Sequence, residues 1–159
     1  MTKANEYKAA DTRGWREQAI PLHEKVLAMT DTIGAYLERV NADTLASTNT
    51  GLSRAVEAAV NYAYREWIER KAEYPQELHD AGVMTYAKIT WIDKHKPARK
   101  AYLKTETVAK IEAIGDYLNV AQHTPNLTSP RHKGVYNRKL IIILCLNALS
   151  HALDSGMVK

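Results

Sequence analysis

A chain of 159 residues, 45% hydrophobic and 25% charged, has the composition of an ordinary folded protein and the length of one domain whose core needs neither disulfide nor metal. Its single cysteine excludes an intramolecular disulfide, and its longest apolar run, Leu140 to Leu146, is far too short to span a bilayer. The net charge of +4 is unevenly spread: residues 1–80 hold 10 Lys/Arg against 13 Asp/Glu, and residues 81–159 hold 12 against 5, so formal charges of −3 and +7 oppose each other along the chain.

In chain order, residues 1–19 read as a polar arm with a short helix around Trp15 and no apolar core of a secretory signal, which points to a cytoplasmic protein. Residues 20–159 read as one helical domain. Leu22, Val26, Met29, Ile33, Tyr36 and Val40 recur at helical spacing, with Pro21 suited to the first turn. After a polar loop over 41–51, a second helix runs from about Leu52 to Glu73, with Leu52, Val56, Ala59, Val60, Ala63 and Trp67 inward. Thr50 or Ser53 caps it, Glu66 and Arg70 support it at i,i+4, and Pro75 ends it. The two helices predict an antiparallel hairpin. The Leu22-to-Val40 seam also has the spacing of a short coiled coil, within the chain or between chains of a homo-oligomer.

Val83 to Lys94 fits either a helix or a strand, and Pro97 interrupts it and starts a new turn. A further helix opens at Thr105, with Val108, Ile111, Ile114, Leu118 and Ala121 as its stripe. Pro125 and Pro130 bracket a loop. The last helix runs from near Asn137 to Asp154, with Gly156 as its C-terminal cap. Leu140 to Leu146 has no polar face, so this helix must lie at the centre of the others. The expected fold is all-α: a single-domain bundle of about five helices. Nine tyrosines and no phenylalanine put several polar-tipped rings at the edge of its core.

Two segments carry the positive charge. In the first, Lys88, Lys94, Lys96, Arg99, Lys100 and Lys104 face only Asp93 and are interleaved with Tyr86, Trp91 and Tyr102. A helix after Pro97 would stack Lys100 and Lys104 one turn apart, a repulsion that a phosphate backbone relieves while the rings stack on bases. The alternative is a solvated basic face with the aromatics packed inward. In the second segment Arg131, Lys133, Arg138 and Lys139 surround Gly134 and Tyr136 and lead into a helix N-terminus. Free backbone N–H groups and the helix dipole favour an anion there. The glycine spacing of a P-loop is absent.

Asn147, Ser150, His151 and Asp154 share one helix face, and His151 with Asp154 has the spacing of an oriented base, but no nucleophile accompanies them. A solvent-facing stripe of an otherwise buried helix is the better explanation of them. Cys145 points elsewhere as a small buried hydrophobe, and the six histidines lack metal-ligand spacing. These residues predict no cofactor and a non-catalytic binding protein. Its partner is a nucleic-acid backbone or phosphorylated nucleotide held by Lys96, Arg99, Lys100, Lys104, Arg131, Lys133, Arg138 and Lys139, with Trp91, Tyr102 and Tyr136 as aromatic contacts and no membrane. The alternative is an inhibitor or adaptor, of the kind phages and mobile elements encode, docking on an acidic or nucleic-acid-binding surface of a host protein.

Overall fold

A computed structural model describes residues 15–40, 51–93, 97–121, 124, 127, 128 and 136–156. Among these residues the fold is mostly helical, five helices with one two-stranded sheet, rather than strictly all-α. Strand β1, Trp15–Pro21, pairs antiparallel with β2, Ala98–Lys104, in a register running from Trp15 opposite Lys104 to Pro21 opposite Ala98. The short helix expected around Trp15 and the helical turn expected after Pro97 are therefore both extended. The reason lies in the side chains. In β2 only Ala101 and Leu103 are buried, at a spacing of two that a strand turns to one face.

Pro21 ends β1 instead of opening a helix. Helix α1, Glu24–Arg39, starts after His23, whose Nδ1 accepts the Lys25 backbone N–H at 3.0 Å and so caps it. Val26, Met29, Ile33 and Leu37 form its buried stripe, while Tyr36 is half-buried and Val40 is the exposed C-cap. Helix α2 runs over Gly51–Ala63 and continues through a wide i→i+5 turn, Tyr64–Glu69. All six inward residues expected of it are buried. It stops at Glu69, where Arg70 N–H reaches the Arg65 carbonyl at 2.8 Å, Ala72 N–H reaches that of Glu66 at 2.7 Å, and Lys71 takes a left-handed φ of 54°. Thr50 lies outside the described residues, and Ser53 lies inside this helix, where its Oγ accepts the Tyr102 N–H at 2.9 Å and ties β2 to α2. Arg70 donates to Glu66 at 3.1 Å, the expected i,i+4 pair.

Pro75 is the N-cap of the next helix, not the stop of the last. Helix α3, Gln76–Ala87 with a second wide turn Lys88–Ile92, resolves the ambiguous segment in favour of helix. Helix α4, Thr105–Ala121, follows β2 directly, with Ile111, Ile114 and Leu118 buried. Helix α5, Arg138–Asp154, is capped by Asn137 Oδ1, which accepts the Leu140 N–H at 3.2 Å, and Gly156 beyond its end has a φ of 75°. Every side chain from Leu140 to Leu146 is buried. Helices α1, α2, α3 and α4 all pack against α5. Each such side chain contributes about 1.5–3 kcal/mol by leaving water, so α5 holds the largest share of the core.

Candidate anion-binding surface

The first basic segment folds back on itself at one corner of the molecule. His23 accepts a proton-bearing amide at Nδ1, so its ring hydrogen is on Nε2, which donates to Asp93 Oδ2 at 2.7 Å. The adjacent Leu22 N–H donates to the Pro97 carbonyl at 2.7 Å. Residues 91–93 of α3 and 97–99 of β2 are thereby anchored to two neighbouring residues. The His23 hydrogen bond holds the Asp93 carboxyl below the usual carboxylate range against the opposing effect of burial, with a lesser contribution from Lys88 at 3.6 Å.

The second segment reaches the same region through Tyr86. The half-exposed Trp91 ring meets Tyr86 edge-on at 5.9 Å, and the Tyr86 hydroxyl accepts the Asn137 side-chain amide at 2.7 Å. Asn137 in turn donates its backbone N–H to the Leu127 carbonyl at 2.7 Å and precedes Arg138 and Lys139. Tyr86 thus joins the end of α3 to the start of α5.

The cations differ in what they already touch. Lys100 pairs with Glu17 across the sheet at 3.1 Å, Lys104 with the buried Glu57 at 3.7 Å, and Arg138 with Glu112 of α4 at 3.7 Å. Arg99 and Lys139 make no ion pair among the described residues. The Arg138 pair is incomplete: its Nε and the Glu112 Oε2 are both buried without a hydrogen-bond partner among the described residues. Lys96, Arg131 and Lys133 lie outside the described residues.

The three rings separate as well. Trp91 is exposed, Tyr102 is half-buried opposite Glu17, and Tyr136 is committed to α4. Its hydroxyl donates to Asp116 at 2.5 Å, which with burial pushes the phenol up to about 12, and its ring lies where a Cβ on Gly115 would come within 2.7 Å. Tyr136 therefore presents no free face to a base on the side that Gly115 occupies.

On α5, Ser150 is buried and Asn147 donates to the Leu78 carbonyl at 3.3 Å, so the polar stripe is half interface; only His151 and Asp154 are exposed. Cys145 is fully buried, which pushes its thiol up and leaves it unreactive. A hollow of about 380 Å³ at the end of α2 is lined by Trp67, Ile68, Lys71, Ala72 and Tyr117, with Lys71 its one charged residue. Among the described residues no three His, Cys, Asp or Glu side chains converge as a metal site, and no helix is long and apolar enough to cross a membrane.

Residue-by-residue reading missed His23, and it placed Tyr86 beside the first basic segment and Asn137 in the second without finding the hydrogen bond that joins them. A histidine one residue before an acidic helix start was the available sign of a cap. No protein-family model matches the chain, and no curated protein or solved structure matches it significantly.

Proposed function

We propose that this chain is a non-catalytic binding protein that holds a polyanion, a nucleic-acid backbone, across the start of α5 and the corner where α3 meets β2. The observation that carries this reading is the first turn of α5. There Arg138 meets Glu112 only at 3.7 Å with a third of its side chain in water, and Lys139 has no ion pair among the described residues. A phosphate oxygen would pair with the exposed part of the Arg138 guanidinium and with Lys139, and the helix dipole favours its charge. Arg99, two residues beyond the Pro97 anchor and without an ion pair among the described residues, adds a further cation at the corner where α3 meets β2. Lys100 instead turns to the other face of β2 and holds Glu17. Contact is to phosphate, with counterion release as its driving force, and bases are not read.

Fluorescence anisotropy with labelled single- and double-stranded oligonucleotides tests it. Affinity is expected to fall steeply between about 50 and 200 mM salt, and each of Arg99→Gln and Lys139→Gln to lower the salt slope by about 0.7–0.9. Folded protein that shifts no oligonucleotide at low salt overturns the reading. The alternative partner is a protein: Arg99 and Lys139, which make no ion pair among the described residues, could equally meet carboxylates. An acidic protein surface offers the same group, which makes the chain an adaptor or inhibitor. In that case Lys139→Gln weakens capture of an acidic protein and leaves oligonucleotides unbound throughout.

A further inference from the structure

Helix α3 buries His79, Gly82, Tyr86 and Ile89 on its inner side and leaves an unusual outer one. Glu77, Asp80, Ala81, Met84 and Ile92 are exposed along it, Met84 and Ile92 by 71% and 72%, and Lys88 has 41% of its side chain in water. Contiguous exposed apolar surface marks an interaction site, and Ala81, Met84 and Ile92 lie along this one side. The order of charges along the face says which partner fits. Asp80 stands four residues before Met84 and Lys88 four residues after it, one helical turn on either side.

We propose that this face pairs with the same face of a second copy, the two α3 helices running antiparallel about a two-fold axis at Met84. Each Lys88 then lies opposite Asp80 of the other copy, and the Met84 side chains meet on the axis. Ala81 and Ala87, three residues on either side of Met84, leave room for the backbones to approach. A parallel pairing sets Asp80 against Asp80 and Lys88 against Lys88, so the charges select the antiparallel arrangement. Their present partners are weak competitors: Asp80 accepts from Gln76 at 2.8 Å, and Lys88 is 3.6 Å from Asp93. The α1 seam with coiled-coil spacing is not available for this role, because Val26, Met29, Ile33 and Leu37 are buried within the chain.

The face is one helix wide, so it covers less than the roughly 1,200 Å² of a standard stable interface, and the dimer forms and separates reversibly. The pairing is independent of the polyanion reading. Together they have a consequence: seven residues on either side of the axis set the two Trp91 corners about 20 Å apart along the helix direction, doubling the length of polyanion one assembly covers.

A cysteine cross-link tests it in the full chain. Cys145 is fully buried and does not interfere. Met84→Cys, treated with diamide, is expected to form an intermolecular disulfide about tenfold faster than Glu38→Cys, an exposed control on α1. Adding Asp80→Lys is expected to bring it down to the control rate, and adding Lys88→Asp to that variant to restore it. Circular dichroism of each variant checks that the fold is retained. Met84→Cys that cross-links no faster than the control overturns the proposal, as does a charge exchange that fails to restore the rate. The first result would leave the face to a different protein.

Discussion

Lys71 is the residue most at odds with its backbone. Its φ of 54° closes α2 in the left-handed region, where glycine is at ease and a side chain costs about 1 kcal/mol. Lys71→Gly should therefore stabilise the protein by about 0.5–1 kcal/mol, read as a higher urea midpoint at unchanged slope. Two buried histidines behave differently. His23 caps α1 and holds Asp93, so His23→Ala is expected to cost about 2–3 kcal/mol from the lost cap, the lost hydrogen bond and the cavity. His79 sits between the Tyr74 and Thr124 hydroxyls at 3.2 Å each, and burial lowers its pKa from the ordinary 6.5 against a small opposing pull from Asp80. The unfolded chain thus takes up the proton first. The stability this neutral imidazole contributes is complete above pH 6.5 and is lost as pH falls below it, towards the lower folded pKa. Unfolding midpoints at neutral and mildly acidic pH should fall further apart for the wild type than for His79→Gln; equal differences would contradict this.

Between elements, α3 and α5 approach closely at Gly82. A Cβ on Gly82 would lie 2.6 Å from Leu144 Cδ2, so Gly82→Ala should destabilise by about 1–2 kcal/mol although alanine is the better helix former by about 1 kcal/mol. A thermal melt decides the sign. Ser53→Ala removes the acceptor for the Tyr102 N–H and should cost about 1–2 kcal/mol, loosening β2 from α2. The helices were legible in the sequence because their stripes are local: Val26-Met29-Ile33 and Ile111-Ile114-Leu118 repeat at 3.6 whatever the rest of the chain does. The strands were not. Only Ala101 and Leu103 mark β2 as alternating, within a segment whose lysines and arginine dominate its character, and β1 exists only because β2 lies beside it. The wide turns at the ends of α2 and α3 leave no periodic trace either, since a single i→i+5 turn shifts a stripe without breaking it.

Across the whole molecule, the opposition of an acidic and a basic half becomes partly internal. Glu17 and Glu57 from the first half face Lys100 and Lys104 from the second, so totals along the sequence overstate what is left for a partner. That much was invisible because a sum of charges carries no contacts. What it did locate was the neighbourhood: the segments around Trp91 and Arg138 meet through Tyr86 and Asn137. Exchanging the charges of the Lys100–Glu17 pair, of which only Lys100 is exposed, as Lys100→Glu with Glu17→Lys, should cost less stability than Glu17→Lys alone, read in a urea melt. If the polyanion reading is right, it should shift oligonucleotide affinity only where the backbone passes β2. The pairing of β1 with β2 carries a consequence in time. Pro21 and Ala98, its closest paired residues in sequence, are 77 positions apart, while each helix closes over a turn. Contacts that distant form late, so strand amides should gain protection in pulse-labelled exchange after those of α1 and α2, and simultaneous protection would contradict this order. On the ribosome, residues 15–21 lack a complete partner strand until residue 104 has been made, after α1, α2 and α3. A strand translated before all the described helices is thus among the last elements to be secured.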